Sequence, residues 1–214
     1  MIGIKEINEL MLQKQEKNKE FRFKSLHLSE LAICGFKYRN SIENKLPIKF
    51  RWIYEIGNVF EWKLVQQLKE LDDSIIASPK QFTVKYNMNG QEVIGHLDAY
   101  SVKNDTAYEI KASKSDNYID VYERQLFAYM LSGNIHYGKL IKYNIIYDKM
   151  SDFTYQLPLI ENKTKKLMEK QTQAFLNNEY VDGIDNSLCQ FCENVNCKLR
   201  LMKWIDMISI YKNL

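Results

Sequence analysis

Proline and glycine are scarce. Three prolines and eight glycines among 214 residues come to roughly 5%, against an average near 12%. That excludes collagen-like and linker-dominated architectures. No uninterrupted apolar run approaches the ~18–20 residues that span a bilayer, and Met1 to Ile7 lack the charged stretch and apolar stretch of a secretion signal. A cytoplasmic protein without a membrane partner is therefore expected. Neither sign of charge dominates: 30 basic residues face 27 acidic ones, for a formal net charge of +3. So small an excess does not by itself predict a nucleic-acid partner, and permits one only where positive charge clusters. Cysteines number only four, and in a cell interior they are not expected to pair as structural disulfides.

What is present is enough apolar material for a core, 45% of the residues, in a chain long enough to fold without staples. Helical periodicity appears at 3–20 (Ile4, Ile7, Leu10, Met11), from an N-cap at Ser29, and at 50–71, where Ile53, Ile56, Phe60, Leu64 and Leu68 recur at spacings of three and four. After Pro79 the period changes to two. Strands are predicted at 82–86, 92–102 and 106–112, with Asn89-Gly90 as a hairpin turn. A helix at 118–131 is closed by Gly133 as its C′ residue. Strands at 139–147 and 153–159, a polar helix near 162–178 and an amphipathic helix from about 198 complete the chain. No repeat is evident. The order points to an α/β domain with a mixed central sheet flanked by helices.

Within that pattern one acidic set stands out. The strand Gly95 to Tyr100 places His96, Asp98 and Tyr100 on one face, and the next strand places Glu109 and Lys111 together with Ile110 behind. Paired as a hairpin, these strands bring Asp98 and Glu109 within reach of one ion. Carboxylate oxygens suit Mg²⁺ or Mn²⁺, which lowers the pKa of a bound water and offsets charge at phosphorus. A neighbouring ammonium orients water and stabilises the transition state. Alternation is generic, so a merely solvated acidic face remains the alternative.

The cysteines fall one and three. Cys189-x2-Cys192-x4-Cys197 is a compact thiolate cluster and Cys34 lies far upstream. Such spacing binds Zn²⁺ or an iron–sulfur cluster, and three ligands leave either one short. Cys34 closes the count at four, or else is a buried free thiol.

Together these motifs resemble the PD-(D/E)xK nuclease superfamily. Gly95-x-x-Asp98 followed by Glu109-Ile110-Lys111 matches its D…(E)xK motif, and Gln125-Leu126-Phe127-Ala128-Tyr129 matches the Q-x-x-x-Y motif of the RecB-like branch. Upstream, Gly57 to Glu61 carries Glu61 where that branch commonly has His. A Glu coordinates the same hard ion. Glu55 is the competing acid, and His96 a candidate to compensate. The one-plus-three cysteine layout resembles the iron-staple nucleases, including the CRISPR-associated Cas-four exonuclease family, over about residues 26–200.

The resemblance implies a restriction-endonuclease-like core. The chain would be one nuclease domain over 1–214, with a core at about 50–160. Cluster-binding parts at about 26–45 and 185–214 would be joined by a [4Fe-4S] cluster on Cys34, Cys189, Cys192 and Cys197. It further implies Mg²⁺ or Mn²⁺ on Glu61, Asp98, Glu109 and the Ile110 carbonyl, with Lys111 aligning water and Gln125 and Tyr129 supporting the site. The implied activity is cleavage of single-stranded DNA, often from the 5′ end. The implied partners are DNA, a second copy of the chain or CRISPR adaptation proteins. Such proteins occur beside CRISPR loci and in archaeal viruses.

Basic residues outnumber acidic ones ten to six over 1–50 and seven to four over 139–170. Arg22, Lys24, Lys37 and Arg39 are the DNA-contact candidates, with Phe21, Phe23, Phe36, Tyr38, Trp52 and Tyr54 as rings that stack on bases; packing in the core is the plainer role for most of the rings. Two other functions compete with the nuclease: a non-catalytic nucleic-acid-binding or scaffold subunit, and a structural zinc protein whose acidic strand face is incidental.

Overall fold

Why the chain turns where it does is clearest in its hairpins. In the computed structural model, which describes residues 4–22, 26–43, 52–77, 82–114, 119–181, 188–189, 192, 194 and 197–202, β3 (Thr83–Met88) and β4 (Gln91–His96) pair antiparallel with Met88 opposite Gln91. Asn89 and Gly90 between them have φ of 52° and 80°. Two successive positive φ values suit the right-handed twist of the flanking strands. Helices form at α1 (Ile4–Arg22), α2 (Leu28–Glu43) and α3 (Trp52–Leu71), close to the periodicity of the sequence. Ile7 and Leu10 of α1 nevertheless remain exposed.

The single strand expected at 92–102 is in fact two. β4 belongs to a three-stranded sheet of order β1-β4-β3, in which β1 (Leu26–His27) runs parallel to β4. The chain then leaves that sheet at Leu97 and Asp98. It enters a five-stranded sheet as β5 (Ala99–Ser101), between β2 (Ile75–Ala77) and β6 (Thr106–Ser113). Alternate burial runs unbroken across the change, so periodicity carries no sign of it. The second sheet continues with β7 (Tyr137–Asn144), parallel to β6, and β8 (Lys149–Gln156), antiparallel to β7. The result is a mixed α/β fold with mixed sheets flanked by helices.

The helix α4 (Ile119–Gly133) forms the crossover from β6 to β7. Its left-handed terminator is Asn134, with φ 50°, and not the expected Gly133. Gly133 serves close approach instead: a Cβ there would lie 2.8 Å from Val84 Cγ1. The expected strand 153–159 ends earlier, because α5 (Leu157–Asn177) starts at Leu157 with proline in its first turn, where a missing N–H costs nothing. The helix expected from about 198 starts at Lys198; residues 203–214 lie outside the described residues.

Two apolar clusters sandwich the larger sheet. One gathers Leu28, Leu31, Val93, Leu126, Tyr129, Leu140 and Met168 from α2, α4, α5 and both sheets. The other lies under α3, where Leu64 and Val65 meet Ile75, Ala99, Ile110 and Ile141. The helices α2 and α5 touch through Gly35, whose N–H donates to Gln171 Oε1 at 2.6 Å. A Cβ at Gly35 would stand 2.0 Å from the Gln171 carbonyl oxygen. Gly35→Ala is therefore expected to destabilise the protein by about 3 kcal/mol or more, at the upper end of overpacking costs, because the obstacle is backbone. Chemical denaturation of the purified variant checks this. No described helix is long and apolar enough to cross a membrane.

Candidate active site

The register of β5 against β6 pairs Ala99 with Tyr108, so Asp98 stands where the chain crosses between sheets, beside the middle of β6. Asp98 Oδ2 accepts the Ile110 N–H at 2.7 Å and lies 3.4 Å from Lys111 Nζ. Lys111 Nζ also donates to the Ile110 carbonyl at 3.1 Å and touches the Glu109 carboxylate. Ile110 itself faces α3, and the residues on either side of it take the opposite face. Glu109 is fully buried. Although the ammonium lies against it, neither Glu109 oxygen meets a well-angled hydrogen-bond donor among the described residues.

Three carboxylates thus surround one ammonium. Burial raises Glu61 on α3 to about 7, the charge on Asp98 adds to this, and Lys111 opposes it. Burial also raises Glu109 well above the ordinary carboxylate range, again reinforced by Asp98. For Lys111, burial alone would favour the neutral amine, but Asp98, Glu109 and Glu61 outweigh it and hold the ammonium protonated. Burial and the nearby Glu109 and Asp98 raise the Tyr129 phenol as well. Surplus buried negative charge of this kind, on hard oxygen donors, suits a divalent cation, which would need the carboxylates ionised. As they stand, no three His, Cys, Asp or Glu side chains among the described residues are arranged to hold an ion; the Lys111 ammonium links the carboxylates instead.

Asp98 and Lys111 open onto a cavity of about 370 Å³, together with Gln125 and Tyr129. Gln125 and Tyr129 are one helical turn apart on α4, and Gln125 Nε2 donates to Tyr129 Oη at 2.9 Å. The ring of Tyr129 reaches the site because Gly95 lacks a side chain: a Cβ there would come within 2.6 Å of Tyr129 Cε1 and 2.8 Å of Leu28 Cδ1. Gly95→Ala is expected to cost about 1–3 kcal/mol and to displace Tyr129, which a shift in tyrosine fluorescence and in the melting curve would report.

The structure places Glu61, Asp98, Glu109, Lys111, Gln125, Tyr129 and the Ile110 carbonyl in one region. Glu61, not Glu55, is the α3 acid that acts on Asp98 and Glu109. His96 also lines the cavity. The remaining wall is His27 and Ser29, to which the sequence assigns no site role. Ser29 reads in sequence as an N-cap, yet lies inside the first turn of α2. No motif marks His27, which reaches the cavity only because β1 pairs with β4.

Cys34, Cys189, Cys192 and Cys197 line one small hollow of about 30 Å³, with Ile33, Phe36, Lys37 and Leu188 among its other walls. None of the four is in a disulfide. Cys34 interrupts α2 with extended backbone (φ −170°, ψ 109°), and its Sγ accepts the Lys37 N–H at 3.4 Å. Burial pushes its thiol up to about 11; the Lys37 N–H pulls the other way and the three other cysteines add to the rise. Asn194 forms the turn before Cys197, its carbonyl accepting the Cys197 N–H at 3.2 Å.

The expected DNA-contacting side chains fare differently. Arg39 pairs with Glu43 at 2.6 Å and lies over the Phe175 ring; Tyr38 packs against the same ring and Phe36 against Tyr180. Arg39, Phe36 and Tyr38 are thus committed to packing around α2 and α5, and Lys37 to the cysteine hollow. Phe23 and Lys24, and the side chains of Phe21, Arg22, Trp52 and Tyr54, lie outside the described residues.

No protein-family model matches the chain, and no curated protein does. The fold, however, is shared with solved structures. SSO0001 superimposes with a TM-score of 0.66 at 20% identity, over 91% of this chain and 97% of its own. LHK-Exo, an alkaline exonuclease from Laribacter hongkongensis solved in complex with dAMP, gives a TM-score of 0.53 at 8% identity, covering 72% of this chain and 88% of its own. A phage-related exonuclease from Haemophilus somnus 129PT gives 0.51 at 8% identity, over 72% of this chain and 92% of its own. At these identities the likeness is one of fold.

Proposed function

We propose that the chain is a metal-dependent deoxyribonuclease, an exonuclease acting on single-stranded DNA, of the RecB-like, iron-staple kind. The observation that carries this reading is the cluster of buried Glu109 with half-buried Glu61 and Asp98 around Lys111, of which Asp98 and Lys111 open onto a cavity of about 370 Å³. That volume lies in the range of small-ligand sites, about 300–1,000 Å³; the preference for a single strand follows from the resemblance. The fold shared with two exonucleases, one of them solved with a mononucleotide bound, agrees with it.

Glu61, Asp98, Glu109 and the Ile110 carbonyl would hold Mg²⁺ or Mn²⁺, which when bound supplies Lewis-acid activation of water and charge neutralisation at phosphorus. Lys111, kept protonated by its three carboxylates, acts as a donor to the phosphate oxygens and to the attacking water rather than as a base. Gln125 fixes the Tyr129 hydroxyl, and the two close the side of the cavity on α4. Hydrolysis forms a bond from the water oxygen to phosphorus and breaks the bond to the leaving sugar oxygen, which takes up a proton.

Away from this site, Cys34, Cys189, Cys192 and Cys197 would hold a [4Fe-4S] cluster. Four thiols on one hollow, one of them at a helix break that turns its sulfur toward a backbone N–H, support that donor set; thiolates also suit Zn²⁺. End-labelled single- and double-stranded DNA, incubated with Mn²⁺, Mg²⁺ or chelator, tests the function. Metal-dependent shortening of the single strand is expected. Binding without any cleavage would favour the non-catalytic nucleic-acid-binding subunit.

A further inference from the structure

We infer that Gln171 of α5 is a positioning residue for Cys34: by accepting the Gly35 N–H it holds the break in α2 that places the Cys34 sulfur in the cysteine hollow. This rests on the reading that the four cysteines share a metal centre, and not on the nuclease reading of the acidic cluster. In a continuous helix the Gly35 N–H would donate to the Leu31 carbonyl. The extended backbone of Cys34 interrupts that ladder, and the Gly35 N–H donates to Gln171 Oε1 at 2.6 Å instead. Two residues on, the Lys37 N–H donates to Cys34 Sγ at 3.4 Å. Cys34 thus stands as the N-cap of a second helical segment over 35–43. Its sulfur takes the third N–H of that segment, where serine, threonine or aspartate would place an oxygen.

Sulfur is a weak acceptor, so the cap alone is a poor reason to break a helix. The stronger bond at the break is the one to Gln171, and it comes from another helix. Gln171 is fully buried, and its Nε2 meets no hydrogen-bond partner among the described residues. A buried amide left half-satisfied costs stability. A methionine of similar length would pack between the helices without that cost. What glutamine adds over an apolar residue is one acceptor, aimed at the first N–H past the break. Without it, that N–H is stranded in the interior or returns to the Leu31 carbonyl by closing the helix. Closing the helix takes the Cys34 sulfur off the Lys37 N–H, because a residue inside a helix does not cap it. Cys34 then leaves its place beside Cys189, Cys192 and Cys197, with which it shares the hollow. Bound to a cation, the Cys34 sulfur carries thiolate charge, which the start of a helix stabilises.

Anaerobic titration of the reduced, metal-free full chain with Co²⁺ tests this without DNA. Thiolate-to-cobalt charge transfer in the near ultraviolet counts sulfur ligands, and the wild type is expected to give a tetrahedral four-thiolate spectrum. Gln171→Met, which keeps the length and drops the acceptor, is expected to lose about a quarter of that intensity and to bind Co²⁺ about 10–100-fold more weakly, the usual effect of removing a group that orients a metal ligand. Gln171→Glu, which keeps an accepting oxygen, should retain the four-thiolate spectrum. The sharpest readout is a double-mutant cycle. In Cys34→Ala protein the sulfur to be positioned is gone, so adding Gln171→Met should change Co²⁺ affinity by less than about twofold. Equal weakening in both backgrounds would mean that Gln171 only supports the fold, and would overturn the proposal. So would an unchanged spectrum and affinity in folded Gln171→Met. A wild type that binds Co²⁺ with fewer than four thiolates would remove the shared centre and the role of Gln171 with it. Four thiolates in both the wild type and Gln171→Met would remove that role alone. Should Gln171→Met fail to fold, Gln171→Ala, which also lacks the acceptor, carries the same cycle.

Discussion

Replacing Glu109 by Gln is expected to reduce metal-dependent cleavage by at least about 10³-fold, roughly 4 kcal/mol of transition-state stabilisation, and yet to raise the melting temperature of the metal-free protein at pH 8. The two effects have one cause. Glu109 is fully buried and, apart from the ammonium of Lys111 against it, meets no well-angled hydrogen-bond donor among the described residues, so its charge is a burden on the fold that a divalent cation would offset. Removing one partner of a buried ion pair is ordinarily destabilising by about 3–5 kcal/mol because it strands the other. Here the ammonium of Lys111 keeps Asp98 beside it and the charge of Glu61 nearby, so the penalty of losing one partner is smaller than usual. Gln preserves the shape and drops the charge.

The sign of the pH dependence follows from the same cluster. Glu61 rises from an unfolded value of 4.5 to about 7 in the folded chain. A carboxyl whose folded pKa is raised contributes stability that is complete below 4.5 and is lost as pH climbs through about 7. Glu109 shifts in the same direction and extends the loss upward. Metal-free protein should therefore melt at lower temperature at pH 8 than at pH 5.5. Mn²⁺ should restore more at pH 8, because cation binding needs both carboxylates ionised. Glu109→Gln should flatten both trends. Thermal melts across pH, with and without Mn²⁺, read this out, and a variant that keeps the full Mn²⁺ response would remove Glu109 from the metal site.

With a [4Fe-4S] cluster on the four cysteines, as proposed above, the purified protein is expected to be brown, and Cys34→Ala to bleach that colour, to lower the iron content and to reduce the melting temperature by roughly 10–20 °C. A cluster joining Cys34 to Cys189 closes a loop longer than 100 residues, for which chain entropy gives on the order of 5 kcal/mol, and 1 kcal/mol corresponds to about 2–4 °C in a protein of this size. Metal binding must also displace the proton of a thiol raised to about 11, so cluster assembly should be favoured by higher pH. Colour that survives Cys34→Ala would exclude Cys34 as a ligand. Stoichiometric zinc without iron in anaerobically prepared protein would exclude the iron–sulfur cluster and leave a zinc staple.

Much of the site was legible because its chemistry lies on short local patterns. The period of two around Asp98 and across Glu109-Ile110-Lys111, the turn Asn89-Gly90 and the four-residue step from Gln125 to Tyr129 each fix geometry within one element or one hairpin. What escaped depends on distant contacts. The change of sheet at Leu97 and Asp98 leaves alternation intact, so only the partners of β4 and β5 distinguish it. His27 sits in a two-residue strand whose partner, Ile94, is far along the chain, and no local period marks so short an element. Gly133 looks like a helix terminator, but contact with Val84 demands its missing side chain while Asn134 takes the left-handed turn. Glu61 and Glu55 are equally acidic in sequence; only the packing of α3 decides which of them meets Asp98.

The most direct measurement compares wild type and Asp98→Ala, purified in parallel, on end-labelled single-stranded DNA with Mn²⁺. Asp98 links the ammonium of Lys111 to the backbone of Ile110, so its loss should remove one proposed cation ligand and one of the contacts that hold Lys111, which keeps the Ile110 carbonyl and Glu109. Metal-dependent cleavage by the wild type, reduced at least about 10³-fold in the variant, is the expected result. Equal cleavage by both proteins, or none by the wild type with either metal, would contradict the assignment of this acidic cluster as a nuclease centre.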